Sequence, residues 1–324
     1  MSGFEDFITE NIAPCGARRI GIYNSKGNRV GQAPLGCLTP PDYAKKLYSF
    51  GVLSDVHYPS NDSETDFKRA LTYFNTESDV EFICICGDLV TDGTAAQFAG
   101  YKSIVQSHST RVPVYAVTGN HDCYANLQSS IEQYTGRPFH YTFERGNDVF
   151  IMLGTCGTEE SNFLNADALQ WLQVTLESNR NKRCFLFFHV LPFETGNLCC
   201  GDVTGQYWGD KLKTQTNSLT FKSILRSYPN VIFFHGHSHM RFGLQTLSAT
   251  LEAPANYDNY YGCHSIHIPS IAIPRDYASS LVTYEAGSEG YVVDVYENGI
   301  HLRGRDFVEG EFLPIASYWL DTTT

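Results

Sequence analysis

The amino-acid sequence predicts an α/β fold whose strands are covered on both faces. From about residue 47, short continuous apolar runs alternate with stretches of helical periodicity. Fully apolar strands are typical of sheets that carry helices on both sides. After about residue 241 the helical periodicity fades and strand-like segments follow one another. The second half of the chain is therefore expected to add a further, mostly antiparallel sheet.

The elements can be assigned in order along the chain. Apolar runs that end in polar residues indicate buried strands at residues 47–55, 80–88, 112–122, 148–154, 183–190 and 230–239. Helical periodicity separates several of these strands, at residues 64–74, 95–108, 126–134 and 166–178. Three later strands are indicated at residues 265–274, 290–297 and 300–307. Asn298-Gly299 is a strong hairpin turn between the last two.

The chain divides into an extension and one large domain. Residues 1–45 are predicted to be an N-terminal extension, with a possible β-hairpin around the turn at residues 25–28. Residues 46–324 are predicted to form the main domain. Within it, the motifs discussed below occupy residues 50–240 and the C-terminal strands occupy residues 241–310.

Composition excludes several classes of protein. The 324 residues include 23 Lys and Arg against 35 Asp and Glu, a formal net charge of −12. Such acidity disfavours a broad duplex-DNA surface, which normally shows as clustered basic side chains. No run approaches the ~18 apolar residues of a membrane helix, and the acidic N-terminus shows no secretory signal. The 10 Cys follow no disulfide-framework spacing, so we expect a reduced, cytoplasmic protein.

Polar side chains of similar chemistry follow five of the apolar runs. In order along the chain they are Asp55 and His57, Asp88, Asn120 with His121 and Asp122, His189, and His237 with His239. The carboxyl ends of strands gather at one edge of an open α/β sheet, and ligands bind in the crevice there. Residues far apart in the chain are therefore expected to meet at one point.

Each motif alone has an ordinary structural explanation. A Gly-Asp pair after a strand is a common turn, and Gly-Asn-His-Asp can be a turn closed by an Asx hydrogen bond. A lone His189 would usually be a core histidine. The Gly-His-Ser-His motif at residues 236–239 is stronger, because two imidazoles two residues apart at a strand end rarely serve packing. Together and in order, the five motifs indicate a metal site.

The residue types suit a pair of divalent cations. Carboxylate and amide oxygens with imidazole nitrogens fit Mn, Fe or Zn, and the lack of a Cys ligand argues against a closed structural zinc site. Two metal ions about 3.5–4 Å apart can clamp a phosphate and ionise a water near neutral pH. We therefore expect two divalent metal ions as cofactors and a reaction that needs no Ser or Cys nucleophile.

The motifs DVH, GDLVTDG, GNHD, H and GHSH resemble the five blocks of the calcineurin-like metallophosphoesterase superfamily. The pattern is most similar to the class III cyclic-nucleotide phosphodiesterases. The resemblance covers about residues 50–240. It implies a four-layer α/β/β/α sandwich with mixed sheets and with the metals at one edge of the sandwich.

The resemblance also implies which residues hold the metals. The implied ligands of the first metal are Asp55, His57, Asp88 and His239. Asp88 would bridge to the second metal, and the ligands that complete the second site would be Asn120, His189 and His237. A hydroxide between the two metals would attack phosphorus.

His121 is implied to be a catalytic residue at the leaving-group oxygen rather than a ligand. Such an imidazole needs a neighbour to orient it, and Asp122 and Asp92 are the candidates. Asp92 stands one place later than the partner Asp of the phosphoprotein phosphatases, where this chain has Thr91. Thr91 also stands where the purple acid phosphatases carry a Tyr, so both branches of the superfamily are disfavoured.

The remaining histidines are expected to have ordinary structural roles. They are His108 and His140 in helix and loop contexts, His235 pointing away from its neighbours, and His264 and His267 on opposite faces of a strand. The long loop at residues 192–213 follows His189 and is a candidate for shaping substrate access. In it, Tyr207 or Trp208 would stack on a base or cap an apolar group, or serve as ordinary surface aromatics.

The expected function is phosphodiester hydrolysis on a small phosphate-ester substrate, for which a cyclic nucleotide, a nucleotide or a glycerophosphodiester would each fit. The alternatives are a phosphomonoesterase or a nuclease of the same superfamily. A non-catalytic scaffold is a third interpretation, disfavoured because no ligand is missing from the set. Neither duplex nucleic acid nor a membrane is an expected partner. The sequence leaves open the physiological substrate, the metals and the oligomeric state.

Overall fold

The structure is a computed structural model of the chain. It describes residues 18–23, 29–35, 40–41, 44–158, 163–190, 216–242, 257–258, 263–276, 283–284 and 287–322. The strands in these ranges are, in chain order, β1 (Arg18–Tyr23), β2 (Arg29–Leu35), β3 (Lys46–Leu53), β4 (Ile83–Cys86), β5 (Val114–Val117), β6 (His140–Arg145), β7 (Asp148–Leu153), β8 (Cys184–Phe187), β9 (Val231–His235), β10 (Tyr257–Asp258), β11 (His264–His267), β12 (Arg275–Asp276), β13 (Thr283–Tyr284), β14 (Glu289–Tyr296), β15 (Gly299–Asp306) and β16 (Glu311–Asp321).

The helices in the described ranges are α1 (Ser63–Thr76), α2 (Ala95–His108), α3 (Glu132–Thr135), α4 (Ala166–Ser178) and α5 (Thr216–Arg226). Two of them begin at a capping side chain. Thr94 accepts a hydrogen bond from the Gln97 N–H, and Asn165 accepts one from the Ala168 N–H at 2.8 Å. Each cap satisfies an N–H group that has no partner within its helix.

The first sheet has the strand order β16-β15-β14-β3-β4-β5 and is mixed. The strands β3, β4 and β5 are parallel, and α1 and α2 are the helical crossovers that parallel pairing requires. The C-terminal strands extend the sheet by antiparallel pairing. The predicted hairpin between β14 and β15 is present, but its turn lies one residue earlier than Asn298-Gly299. Glu297 and Asn298 separate the two strands, and Gly299 already begins β15.

The second sheet has the order β10-β11-β9-β8-β7-β6 and is also mixed. The strands β7, β8, β9 and β11 are parallel. The strands β6 and β10 pair with it antiparallel at its two edges. Helix α4 lies between β7 and β8 in the chain, and α5 comes before β9.

Aromatic side chains from both sheets form the layer between them. Phe50 of the first sheet lies 5.2 Å from Phe150 and 5.4 Å from Phe185 of the second, measured between ring centroids. Phe187 and Phe234 stack in the same layer at 4.9 Å. Each fully buried ring stabilises the fold by roughly 1.5–3 kcal/mol relative to an exposed one. This layer holds the two sheets face to face.

The outer faces of the sheets are covered by helices. α1 and α2 pack on the first sheet through buried side chains such as Phe67, Phe74 and Phe98. α4 and α5 pack on the second sheet through Leu172 and Phe221. The layers therefore follow the order α/β/β/α, and the predicted four-layer sandwich with mixed sheets is confirmed.

Two local expectations are wrong, and one helix was not predicted. The predicted helix at residues 126–134 is a 3₁₀ turn at Gln128–Ser130 followed by the four-residue α3. Ser and Asn in this stretch compete for backbone hydrogen bonds, and Gly136 ends α3 in the left-handed region with φ of 72°. His140 was expected in a loop but begins β6, which pairs with β7. Helix α5 lies in a stretch for which the sequence analysis predicted no element.

The N-terminal strands β1 and β2 pair antiparallel with each other. The division into an extension at 1–45 and a domain at 46–324 stays a prediction. The loop at 192–213, with Tyr207 and Trp208, lies outside the described residues. Among the helices that the structure describes, none combines the length and the apolar character needed to cross a membrane.

Candidate metal centre

The predicted motif residues lie at the carboxyl ends of five strands from both sheets. In the first sheet, Asp55 and His57 follow β3, Asp88 follows β4 and Asn120 follows β5. In the second sheet, His189 follows β8, and His237 and His239 follow β9. Because the sheets pack face to face, these loops meet at one edge of the sandwich. All seven side chains are buried.

The first cation group consists of Asp55, His57, Asp88 and His239, whose candidate ligand atoms all lie within 4.8 Å of one another. The His239 Nε2 is 3.0 Å from the Asp55 Oδ1, and the His57 Nε2 is 3.4 Å from the Asp88 Oδ2. The two Nε2 atoms of His57 and His239 are 2.9 Å apart. Two ligands that bind one ion at about 2.1 Å and at right angles are about 3.0 Å apart, so this spacing fits a shared cation.

The second cation group consists of Asp88, His189 and His237, again with ligand atoms within 4.8 Å. The His189 Nε2 is 3.2 Å from the Asp88 Oδ2. Asn120 lies beside this group, and its Oδ1 is 3.0 Å from the His237 Nδ1. Asp88 belongs to both groups, so the structure brings the predicted bridging carboxylate between the two sets.

Backbone carbonyls fix two of the imidazole rings. The His189 Nδ1 donates to the Cys86 carbonyl at 2.6 Å, and the His239 Nδ1 donates to the Ile273 carbonyl at 3.1 Å. A carbonyl only accepts, so Nδ1 carries the proton and the lone pair of a neutral ring is on Nε2. Metal-binding histidines are oriented by this kind of outer contact. Both Nε2 atoms face the buried carboxylates.

The loops that carry these residues are conformationally unusual. Five of the candidate ligands have positive φ angles between 47° and 73° despite carrying a β-carbon, namely Asp55, His57, Asp88, His237 and His239. A non-glycine residue in this region costs on the order of 1–3 kcal/mol, and such strain concentrates at functional sites. The surrounding contacts must therefore hold each loop in place.

Glycines precede three of the candidate ligands because there is no room for a β-carbon. A β-carbon on Gly119 would lie 2.1 Å from the Asp88 Oδ1, and one on Gly236 would lie 2.4 Å from the Asp55 Oδ2. The backbone thus approaches the two carboxylates directly. The repeated Gly-ligand pairs in the sequence were a signal of this close approach that the sequence analysis did not use.

The electrostatics of the site favour a bound cation. Burial raises the pKa of Asp55, but the nearby His239 and His189 outweigh burial and hold it below its usual range. Burial lowers the pKa of His189, but Asp88 and Asp55 raise it to about 10. Burial lowers the pKa of His57 and of His237 to about 3. Two buried carboxylates faced mainly by neutral imidazoles are compensated well by divalent cations, so the donor set fits the metals.

His121 is half-buried and is not part of either cation group. Its ring lies edge-on to His57, with centroids 4.6 Å apart, and 4.7 Å from the exposed Tyr124. Its backbone N–H donates to the Asp88 Oδ1 at 2.9 Å. The loop that carries His121 is therefore fastened to the shared carboxylate.

The orienting partner of His121 differs from the expectation. Its Nδ1 donates to the Thr91 carbonyl at 2.7 Å, whereas Asp92 forms its hydrogen bonds with Gln97. Asp122 accepts from the N–H groups of Gly119, Leu89 and Val90. The expected contact from Asp122 or Asp92 to the ring is therefore replaced by a backbone carbonyl. Their predicted catalytic roles stay predictions.

Asp122 joins the loop that carries Asp88 to the loop that carries Asn120. Its three backbone hydrogen bonds are between 2.7 and 3.1 Å long. Burial, and then the charge of Asp88, raise the pKa of Asp122 to about 7, although these hydrogen bonds oppose the shift. Asp122 thus ties two ligand loops together, a role that its place beside His121 in the sequence did not reveal.

Three of the histidines for which structural roles were expected form specific hydrogen bonds. The His140 Nδ1 accepts a hydrogen bond from the Gly154 N–H at 3.0 Å, and its ring stacks on Trp171. The His267 Nε2 lies 2.6 Å from the Ser238 Oγ, between the two ligands of the Gly-His-Ser-His motif. His108 caps the last turn of α2 through the Ile104 carbonyl.

A four-layer sandwich that gathers buried Asp and His side chains into two overlapping groups at one edge defines the class of metal-dependent phosphoesterases. Residues 48–241, more than half of the chain, match the Calcineurin-like phosphoesterase family, and the chain belongs to that family. It is accordingly a hydrolase of phosphate esters, from a family that uses divalent metals. The resemblance predicted from the five motifs is confirmed.

Two curated proteins to which the chain is similar are named as phosphodiesterases. The chain is 23% identical over 210 residues to a probable cyclic nucleotide phosphodiesterase of Colwellia psychrerythraea, covering 64% of this chain and 72% of that protein. It is 26% identical over 164 residues to a probable glycerophosphodiester phosphodiesterase of Arcobacter nitrofigilis, covering 44% of this chain and only 57% of that protein. Among solved structures, GAP50, the anchor in the inner membrane complex of Plasmodium, matches with a TM-score of 0.50 at 15% identity, covering 86% of this chain and 89% of that chain. This last likeness concerns the fold alone.

Proposed function

We propose that the protein hydrolyses small phosphodiesters with the help of two divalent cations, one in each cation group. The observation that carries the proposal is that Asp88 belongs to both groups, which brings two candidate sites together around one carboxylate. The ligand roles proposed are those of the sequence analysis, with Asn120 completing the second site. When bound, the cations would polarise the phosphoryl oxygens and lower the pKa of a water that attacks phosphorus.

The chain supplies the proton for the leaving group from His121. Because its Nδ1 donates to the Thr91 carbonyl, its Nε2 is the atom that can gain and lose a proton. The ring lies next to His57 of the first cation group and is partly exposed. Donation from this Nε2 to the leaving oxygen would stabilise the developing alkoxide.

A small diester is the substrate class that the observations favour. The names of the two relatives above refer to a cyclic nucleotide and a glycerophosphodiester. The net charge of −12 opposes the approach of a long polyanion. The exposed ring of Tyr124, beside His121, offers an apolar face to the group that leaves.

The remaining parts of the proposal concern metals, location and domains. Oxygen and imidazole ligands without sulfur suit Mn, Fe or Zn. Among the cysteines of the described ranges, Cys84, Cys86, Cys156 and Cys184 are free thiols. Free thiols support a reducing compartment such as the cytoplasm. The domain is proposed to span residues 46–324, with residues 1–45 as an extension.

The test compares a diester with a monoester. The purified protein is assayed on bis-p-nitrophenyl phosphate and on p-nitrophenyl phosphate with Mn²⁺, before and after treatment with EDTA. We expect turnover of the diester to exceed that of the monoester, to disappear with EDTA and to return with Mn²⁺. Preference for the monoester would instead make the protein a phosphatase, and the absence of turnover with Mn²⁺, Fe²⁺ and Zn²⁺ would favour a scaffold.

The nuclease alternative is tested separately. A single-stranded oligonucleotide and a circular duplex are incubated with the Mn²⁺-loaded protein alongside the small diester. We expect turnover of the small diester to be much faster than cleavage of either polymer, because the acidic surface repels them. Cleavage of the oligonucleotide at a comparable rate would replace the small-substrate proposal.

A further inference from the structure

The turn after β9 carries one ligand of each cation group. His237 belongs to the second group and His239 to the first, and only Ser238 separates them. Both histidines are in the left-handed region, with φ of 73° and 61°. Residues with a β-carbon disfavour this conformation, so neighbouring contacts must hold the turn. The backbone N–H of His237 provides one such contact, because it donates to the Asp55 carboxylate at 3.1 Å.

Ser238 provides a second contact, through a buried side chain. Its Oγ lies 2.6 Å from the His267 Nε2, and it accepts a hydrogen bond from the Met240 N–H at 3.3 Å. Burial lowers the pKa of His267 to about 3, so its ring is neutral and its Nε2 can accept. The Ser238 hydroxyl then donates to His267 while it accepts from Met240, and both roles are satisfied at once.

His267 itself belongs to a rigid element. It ends β11, which pairs with β9 so that His267 lies opposite His235. The pairing continues past the strand end, where the Ile268 N–H donates to the His235 carbonyl at 2.8 Å. The rings of His235 and His267 are 5.5 Å apart, and both are buried. The imidazole that contacts the ligand turn is therefore fixed by sheet pairing.

We propose that His267 is a positioning residue which, through Ser238, holds His237 and His239 in the geometry that binds the two cations. The inference rests on the proposed function, because it assumes that these histidines are metal ligands. His267 lies on β11 and outside the five motifs, so β11 would also contribute to the site. Because the turn carries one ligand of each group, loss of the hydrogen bond between Ser238 and His267 should weaken the binding of both cations.

The experiment measures Mn²⁺ binding by titration calorimetry on purified metal-free protein. Two matched pairs separate the hydrogen bond from the space that the side chains fill. His267→Phe keeps a ring without a hydrogen-bonding atom and His267→Gln keeps such an atom, while Ser238→Ala removes the hydroxyl and Ser238→Thr keeps it. Ser265→Ala is the control, because Ser265 is buried on the same strand two residues away.

We expect His267→Phe and Ser238→Ala to weaken the binding of both cations by roughly 10–100-fold, the usual effect of losing an outer contact to a ligand. The variants that keep the hydrogen bond, His267→Gln and Ser238→Thr, should recover most of the affinity. Ser265→Ala should bind as the parent does. The double variant Ser238→Ala/His267→Phe should lose little more than either single variant, since both remove the same contact.

Mn²⁺ affinity equal to that of the parent in both Ser238→Ala and His267→Phe would overturn the inference. So would an equal loss in Ser238→Thr and His267→Gln, because the hydrogen bond would then be irrelevant. Thermal melting of each metal-free variant identifies any variant that fails to fold. If His267→Phe does not fold, the smaller change Ser238→Ala still tests the inference. A parent protein that binds no Mn²⁺, Fe²⁺ or Zn²⁺ would instead overturn the proposed function.

Discussion

The first cation group has two carboxylates, whereas the second has only the one that both share. The imidazole of His57 in the first group is neutral, because burial lowers its pKa to about 3. In the second group, His189 keeps a proton, since Asp88 and Asp55 outweigh burial and raise its pKa to about 10. A cation can therefore bind at His57 without displacing a proton, whereas a cation that binds at His189 must displace one.

Asp88→Asn should have the largest effect, because it removes the carboxylate common to both groups. We expect turnover of bis-p-nitrophenyl phosphate to fall by more than about 10⁴-fold, as several kcal/mol of charge stabilisation are lost. Titration with Mn²⁺ should show weaker binding at both sites. The exposed Glu64→Gln is the control and should change neither quantity. Loss of only one cation would show that Asp88 does not bridge.

His121→Ala should separate chemistry from metal binding. We expect turnover to fall by roughly 10²–10⁴-fold, the usual range for losing a general acid. Both Mn²⁺ affinities should stay at the parent value, because His121 is in neither cation group. Activity assays and calorimetry on the same sample check the two halves of this statement. A loss of Mn²⁺ from this variant would mean that the role of His121 is misassigned.

Asn120→Ala should weaken the second cation alone. The Asn120 Oδ1 is 3.0 Å from the Nδ1 of His237, which belongs to the second group only. We expect the second Mn²⁺ affinity to fall by at least the roughly 10-fold typical of losing an outer partner, since Asn120 is proposed as a direct ligand. Calorimetry resolves the two steps when the first affinity is unchanged. Equal losses of affinity at both sites would show that Asn120 does not act on the second cation alone.

The last prediction concerns the pH dependence of metal binding and amounts to about tenfold for each pH unit. Below pH 10 His189 is protonated in the metal-free protein, so a cation that binds there must displace one proton. Affinity for the second cation should therefore rise by about tenfold per pH unit between about pH 6 and pH 9. His57 has already lost its proton in this range, so affinity for the first cation should be nearly independent of pH. Calorimetry in buffers of different ionisation enthalpy counts the released protons, and equal pH slopes would contradict the comparison.

Short local patterns in the sequence predicted the α/β fold and the candidate ligands, whereas the four-layer arrangement was an implication of the family resemblance. Each apolar run is a buried strand, and the polar residues at its end belong to the loop that follows it. The bounds of α2 and α4 agree with those predicted from helical periodicity, and the structure adds the caps at Thr94 and Asn165 that begin these helices. Helix α5 was missed although it carries buried Phe221 and Leu225 at helical spacing.

Contacts that depend on the path of the backbone could not be predicted. Every residue has a carbonyl group, so nothing in the sequence marks the Thr91 carbonyl as the partner of His121. The contact from His267 to Ser238 depends on the register between β11 and β9, which are separated by 28 residues in the chain. His264 and His267 are three residues apart on β11, so their side chains lie on opposite faces of the strand, as expected. The alternation of side chains does not reveal which residues each face contacts.

Each cation group takes ligands from both sheets of the sandwich. In the first group, His239 comes from the second sheet and its three partners from the first, while the second group combines Asp88 with His189 and His237. A cation bound by either group would therefore link the two sheets, which otherwise contact each other through the aromatic layer between them. Loading the metals should then raise resistance to heat as well as permit turnover. Because Phe50 packs against Phe150 and Phe185 of the other sheet, its replacement should lower the thermal stability of the metal-free protein without changing any candidate ligand.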